Sequence, residues 1–409
     1  MSESAKQEGG GFSFALRAFR SRNYRLFFGG QMISLIGTWM TSIATSWLVY
    51  RLTGSAWLLG VVGFAGQAPS FLLGPLGGIA VDRFDKRKLI MAMQALAMLQ
   101  SFTLAYLTLT GRITVASLIA LNAIDGLINA FDMPARQAFL VDIIDRKEDL
   151  GNAIALNSSM VNLARLLGPS IGGLVIASAG EGWCFFIDGA SFLAVIGTLF
   201  AMSSAVRPPR KRHAQGALAE MREGWDYVRR FRPVRSIILL LALVSLVGVP
   251  YTVLVPVFAA KVLHGGPHTL GYLMTASGCG ALIAAIWLAS RKSVLGLGRA
   301  IPLGTAVFGT ALFACSYARS TPLAMTALAV AGAGFMVQLA ASNTIVQTIV
   351  DDDKRGRVMS FFMMAFFGAA PFGSLLAGSL ADRIGTPATL RLAGVCCAAG
   401  AAWFGLQLK

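Results

Sequence analysis

Apolar runs long enough to cross a bilayer follow one another almost end to end, with only short charged spacers between them. A spanning helix needs roughly 20 mostly apolar residues. The runs are continuous and rich in Leu, Ala and Gly, whereas a spanning strand alternates apolar and polar positions over about 10 residues. Helices are therefore expected and a β-barrel is not. With 56% hydrophobic and 13% charged residues, the chain is set apart from soluble domains, which carry about 25% charged residues. The first run, 26–48, is too long for the apolar core of a signal peptide and reads as a retained helix.

Apolar stretches bounded by charged, Gly or Pro breaks predict an all-α membrane protein with twelve transmembrane helices. They lie near 24–50, 55–81, 89–109, 112–133, 149–178, 183–205, 234–260, 268–290, 299–317, 322–347, 357–381 and 387–406. Of the 35 Lys and Arg residues, 28 fall near the two ends or in even-numbered spacers, six fall in odd-numbered ones, and Arg165 lies within a segment. By the positive-inside rule both termini are placed in the cytoplasm and the protein in the cell (inner) membrane. The net charge of +16 is then a matter of topology, with no basic soluble face for nucleic acid. Cys184, Cys279, Cys315, Cys396 and Cys397 sit in apolar segments and are expected as free buried thiols. His213, His264 and His268 form no ligand cluster, so neither a metal nor a cofactor is expected.

The longest polar stretch, 207–235, carries nine Lys/Arg and divides the chain near its middle. The expected organisation is a cytoplasmic tail (1–22), a six-helix bundle (23–205), a cytoplasmic linker (206–233) and a second six-helix bundle (234–409). Within the linker, Leu218, Met221, Trp225, Val228 and Phe231 recur at helical spacing beside Arg222, Arg229 and Arg230, predicting an amphipathic helix on the inner membrane surface. The halves echo each other. Ser34-Leu35-Ile36-Gly37 matches Ser245-Leu246-Val247-Gly248 at a shift of 211, and Asp145/Asp351 and Gly172/Gly378 match at 206, as a duplicated six-helix unit would.

Four segments carry small residues at every fourth position: Gly66/Ser70/Gly74/Gly78, Ala164/Gly168/Gly172, Ser277/Ala281/Ala285/Ala289 and Ala370/Ser374/Gly378. In lipid, helices associate by close packing, which small faces permit. These faces on helices 2, 5, 8 and 11 read as the seam along which the two halves slide.

An ionisable side chain at a helix centre costs at least about 2.5 to 3.5 kcal/mol, so the few present are the functional candidates. Asp125 lies near the middle of the fourth segment, Arg165 near the middle of the fifth, and Asp188 about a turn inside the outer end of the sixth. Asn122, Asp125, Asn129 and Asp132 form one polar stripe and Ser158, Asn162 and Arg165 another, while the first segment adds Thr38, Ser42 and Thr45. The stripes are expected to line one wet cavity serving substrate and protons. The eleventh segment offers an opposing wall of Phe362, Met363 and Phe366, suited to an amphipathic, aromatic substrate. Asp125 and Arg165 read either as a pair that handles protons or as a static ion pair fixing helix packing. Asp188 reads as a local hydrogen-bonding partner near the outer surface.

Gly78-Ile79-Ala80-Val81-Asp82-Arg83-Phe84-Asp85-Lys86-Arg87-Lys88 resembles the G-x-x-x-D-R-x-G-R-[KR] loop motif of the major facilitator superfamily, departing at Asp85 where that family has Gly. Arg165-Leu166-Leu167-Gly168-Pro169-Ser170-Ile171-Gly172-Gly173 is similar to the glycine-proline motif of its antiporters. Phe131-Asp132-Met133-Pro134-Ala135-Arg136-Gln137, Arg355-Gly356-Arg357-Val358 and Gly378-Ser379-Leu380-Ala381-Asp382-Arg383-Ile384-Gly385 resemble the branch of enterobactin exporters and macrolide efflux proteins. The resemblance implies the major facilitator fold of two pseudo-symmetric bundles rocking about a midplane cavity and exporting a small molecule against proton uptake. It assigns the cytoplasmic gate to Gly78, Asp82, Arg83 and Arg87, with the carboxylate near the start of helix 11 beside Gly356. The family's R-x-x-Q-G in helix 4 stands here as Asn122-Ala123-Ile124-Asp125-Gly126.

The expected function is thus a proton-coupled exporter of a siderophore or drug-like compound, working in the lipid bilayer, alone or docked onto an outer-membrane channel. A lysophospholipid flippase on the same fold and a transport-dead sensor or assembly partner are the alternatives. No nucleotide-binding loop or catalytic constellation supports an ATP-driven pump or an enzyme.

Overall fold

Inside a bilayer a backbone amide has no water to bond with, so each apolar run closes its hydrogen bonds within a helix. The computed structural model describes residues 16–202, 217–291, 293 and 295–407. Twelve helices among them are long and apolar enough to cross a membrane: α1 (Arg22–Thr53), α2 (Ala56–Arg83), α3 (Lys86–Leu109), α4 (Val115–Asp142), α5 (Leu150–Ala179) and α6 (Glu181–Ala201), then α7 (Arg232–Lys261), α8 (Pro267–Ala289), α9 (Leu297–Cys315), α10 (Thr321–Ile349), α11 (Asp352–Ile384) and α12 (Thr386–Gln407). The protein is a multi-pass membrane protein. Its described ends fall on one face, here the terminal face; the other is the distal face. The tail 1–15 and linker residues 203–216 lie outside the described residues.

Side-chain caps mark several helix starts. The hydroxyls of Ser21, Ser55 and Thr114 accept the N–H of Tyr24, Leu58 and Ser117, and the Asp85 carboxylate accepts that of Lys88. Asp85 has φ −62°, so this turn makes no demand for the glycine of the family motif and uses a capping carboxylate instead. One boundary differs clearly from the sequence reading. Helix α4 does not stop at 133; it runs through Pro134 to Asp142, because neighbouring helices in a membrane protein tolerate the bond a proline removes. Arg136 therefore lies within a span and not in a charged spacer.

Helices α1–α6 pack on one another, as do α7–α12, and the two bundles meet chiefly along two seams, α2 with α11 and α5 with α8. These are the four helices expected, but three of the four expected faces look elsewhere. Gly66 and Ser70 pack on Gly126 of α4, Gly168 and Gly172 on Trp39 and Met40 of α1, and Ser277 on Gly332 of α10. The seam is built from Gly60 and Gly63 against Ser374, Gly378 against Ala56, Gly173 against Gly271, and Ser170 bonded to Thr275. A Cβ at Gly271 would lie 2.8 Å from the Pro169 carbonyl oxygen, and one at Gly173 would lie 3.0 Å from that of Pro267. One residue along a helix turns the face by about 100°, which is the size of the error.

Both seams close only the distal half. On α2 the contacting positions Gly60, Gly63, Gln67 and Phe71 continue at the same spacing to Gly74 and Gly78, where nothing lies within 4 Å of a Cβ position. On α11, Gly368, Ser374 and Gly378 meet α2, whereas Gly356 on the same side meets nothing. The bundles thus splay into a cleft open to the terminal face.

The linker helix, Ala217–Arg230, forms where expected and packs partly on the second bundle, with Trp225 still 54% exposed. Val228 is buried in the second bundle's core, Trp225 meets Phe361, and Glu223 pairs with Arg357 at 2.8 Å. The helix docks on the first turns of α11.

Gly271→Val should hold the distal seam ajar and raise labelling of a cysteine placed at Thr275 severalfold. Gly280→Val, which drives a side chain into Ala329 inside the second bundle, should instead cost about 1–3 kcal/mol of stability or more; thermal unfolding in detergent distinguishes the two.

Candidate functional site

Helix periodicity decides which residues line the cleft. Positions eleven apart on a helix differ by about 20°. Ser158 and Asn162 therefore share the face of Pro169 and Gly173 that meets α8, and Met363 and Phe367 share the face of Ser374 and Gly378 that meets α2. Below the seams these four side chains look into the open cleft. Ser158, Met363 and Phe367 are exposed, and Asn162 is half-buried. Thr38 and Ser42 are exposed on the side of α1 free of α5 and α6, while Thr45 is buried.

Arg165 lies near the cleft apex, about 22 Å along α5 from either end. Its backbone borders Gly278, at the last level where α5 and α8 touch, and its guanidinium sits 5.0 Å from the Trp39 ring centroid. From Tyr251, bonded to Ser277 at 2.7 Å, an aromatic series runs through Phe308 and Phe335 to Phe366. Phe366 thus stacks on Phe335. Phe362 is fully buried at 1% exposure within the second bundle, so it belongs to the core and not to a cavity wall; Phe367, one residue beyond Phe366, takes that place.

The stripe on α4 points into the first bundle. Asn122 bonds the Leu118 carbonyl, and Asn129 donates to the Asp125 carboxylate at 3.0 Å. Asp132, 3% exposed, accepts from Gln94 of α3 and pairs with Arg136 at 2.7 Å, while Arg136 also donates to Gln31 of α1. Asp188 lies two turns inside α6, deeper than the single turn expected, and accepts from Thr41 of α1 and Ser101 of α3 at 3.0 and 2.9 Å. Its Oδ1 has no hydrogen-bond partner among the described residues and presses on Gly37 of α1. Asp125 is within electrostatic range of both Asp132 and Asp188.

Asp125 and Arg165 make no ion pair among the described residues. Arg165 takes the Trp39 ring and Asp125 takes Asn129, so the polar stripes form two separate groups. Arg136, Gln31, Gln94 and Trp39 escape the sequence reading because Pro134 masks the length of α4 and an aromatic partner leaves no charge pattern.

At the terminal face Asp82 and Arg83 are exposed, and Arg87 donates to the Phe200 carbonyl within its own bundle. Among the described residues no gate joins the bundles there. At the distal face one does. Asp382 of α11 accepts from the Ser55 hydroxyl and the Ala56 N–H, both at 2.8 Å, and from the Trp57 N–H at 3.2 Å. A carboxylate thereby caps the N-terminus of a helix in the other bundle, where the macrodipole favours negative charge. Lys261 adds a bond to the Gly54 carbonyl at 3.2 Å.

A family model described as transmembrane secretion effector matches residues 13–408. The staphyloferrin A transporter of Staphylococcus aureus is 28% identical over 375 residues, 91% of this chain and 92% of that one. The multidrug efflux pump Tap of Mycolicibacterium fortuitum is 27% identical over 364 residues, covering 86% and 88%. Among solved structures, a bacterial homolog of the human lysosomal transporter Spinster superposes with a TM-score of 0.74 at 14% identity, covering 95% of this chain and 96% of that one.

Arg136→Gln should strand the buried Asp132 carboxylate and cost about 3–5 kcal/mol. Adding Asp132→Asn should restore most of that loss, as read from thermal midpoints in detergent.

Proposed function

Because the chain belongs to the transmembrane secretion effector family, within the major facilitator superfamily, we propose that it exports a small amphipathic molecule, a siderophore or drug-like compound, by alternating access. The carrying observation is the cleft, sealed distally by two small-residue seams, open to the terminal face and ending at Arg165. With both termini in the cytoplasm of a cell whose inner membrane holds the protein, this is the state that loads cargo from inside. The family match and the two relatives support a membrane transporter of the efflux and siderophore-export branch.

In this reading two carboxylates hold the two ends of the cycle. Asp382 caps α2 while the distal face is shut. Asp82, at the opposite end of the antiparallel partner helix, caps the start of α11 when the terminal face shuts, with Gly78 admitting the close approach and Arg83 and Arg87 beside it. Protons are handled by Asp188 and Asp125 in the first bundle. A proton on Asp188 Oδ1 would neutralise a carboxyl whose hydrogen bonds among the described residues come from hydroxyls, and Asn129 and Asp132 continue the polar path from Asp125.

Mass spectrometry of cells and medium from a deletion strain and its complemented parent, grown iron-poor and iron-rich, tests the export reading. A metabolite retained in deletion cells and missing from their medium is expected; no shift in either condition counts against an endogenous cargo and leaves drug efflux to be tried.

Asp382→Asn should loosen the distal cap and shift the population toward the distally open state, read by spin-label distances across α2 and α11, while Asp82→Asn should shift it the other way. Each is expected to move the equilibrium by about 1 kcal/mol, the scale of a helix cap. Asp188→Asn and Asp125→Asn should each cut pH-gradient-driven transport about tenfold or more while sparing cargo exchange at equal pH; full coupling in both variants would refute the proton assignment.

A further inference from the structure

A guanidinium in the middle of a membrane span without a counter-ion is costly, and three other cations of the first bundle are paired. Arg136 has Asp132, Lys86 has Asp142, and Arg51 has Glu181. Among the described residues Arg165 has no carboxylate, carbonyl or hydroxyl within hydrogen-bond reach; the Trp39 ring lies 5.0 Å away and Tyr251 is within electrostatic range. The position is also the one place a molecule entering the cleft must stop, since α5 and α8 close immediately beyond it through Gly278, Thr275 and Gly271.

We propose that Arg165 is the recognition point for a carboxylate on the transported molecule, so that the cargo is an amphipathic organic anion with a flat apolar body. The inference rests on the export reading and deepens it. A guanidinium presents a planar fork that binds a carboxylate through two parallel hydrogen bonds, which a point charge does not. Trp39 offers a ring face at the same spot, and Met363 and Phe367 lie on the cleft face of α11 across from it. The two groups pair without proton transfer: the cargo stays an anion and Arg165 a cation throughout. Exporting an anion from a cell that is negative inside is also helped by the membrane potential, which gives the proposal a second readout.

Everted membrane vesicles containing wild type, Arg165→Gln or Arg165→Lys are offered a library of siderophores and drug-like carboxylates, each accompanied by its own primary amide. Accumulation under an imposed pH gradient is measured by mass spectrometry. Wild type is expected to favour carboxylates over their amides by about tenfold or more, the worth of a charge-assisted pair, and to accumulate them faster when a potassium diffusion potential makes the vesicle interior positive. Arg165→Gln should lose the preference for carboxylates, and with it the extra acceleration that the potential gives a carboxylate over its amide, while still carrying amides, and Arg165→Lys should keep part of each; a merely structural Arg165 would lower all cargoes alike. Equal handling of carboxylates and amides by wild type, or an undiminished preference in Arg165→Gln, overturns the anion assignment and leaves the export reading standing. Accumulation of nothing by wild type overturns the export reading and the assignment with it.

Discussion

Backbone meeting backbone across the two seams is the contact on which the rest of this molecule depends. Helices in lipid gain nothing from hiding apolar side chains from one another, because the lipid tails are equally apolar. What holds α2 to α11 and α5 to α8 is close approach at Gly60, Gly378, Gly173 and Gly271. Such contacts are weak individually and carry no bulky interlock, so the same surfaces can part. Bundle interiors use the same close approach, at Gly66 and Gly126 or Ser277 and Gly332, and add an interlock of bulky side chains such as Phe308 and Phe362 in a continuous core. In the proposed alternating-access cycle such bundles rock on their seams without repacking.

A smooth seam has no preferred position of its own, and electrostatics at its ends supplies one. Asp382 and Asp82 stand in the same sequence word, Gly-x-x-x-Asp-Arg, at opposite ends of two antiparallel helices. The distal copy is engaged, with three donors from the other bundle, and the terminal copy is exposed. Since a carboxylate favours a helix N-terminus and not a C-terminus, the proposed cycle gives each copy a partner only when its own face is shut. The linker helix bears on this balance, because Glu223 and Trp225 hold the first turns of α11, where the terminal copy would dock.

Depth along the membrane is legible in the sequence, and rotation about each helix is not. Residue counting places Arg165 at mid-membrane and puts helices 2, 5, 8 and 11 in equivalent roles, because rise per residue is nearly constant. Azimuth turns about 100° per residue, so a stripe chosen one position early faces a different neighbour. On α2 the small residues Gly66 and Ser70 face α4, while Gly63 and Gln67 reach Ser374 across the seam. Gln67 is not small, and a search for small residues passes over it. The same uncertainty joins Asp125 to Arg165, whose side chains take different neighbours, and puts Phe362 in the wall in place of Phe367. Pro134 hides the last turns of α4 and with them the Asp132–Arg136 pair. Nothing in one sequence signals a partner on another helix when that partner is a ring or a carbonyl.

Cargo recognition and proton handling fall in different places on the proposed mechanism, and one helix borders both. On α1, Trp39 faces Arg165, while Gly37 and Thr41, two residues to either side, face Asp188. A proton on Oδ1 leaves the bonds from Thr41 and Ser101 to Oδ2 in place and adds a donor on the side that faces Gly37. Gly37 leaves room on that side which a side chain would not, since a Cβ there would lie 2.7 Å from Oδ1. In the proposed mechanism a small shift of α1 accommodates the added donor, which would move Trp39 against the guanidinium and alter the space left for cargo. Coupling then needs no direct contact between proton and substrate, only a helix packed tightly on one side and open to the cleft on the other.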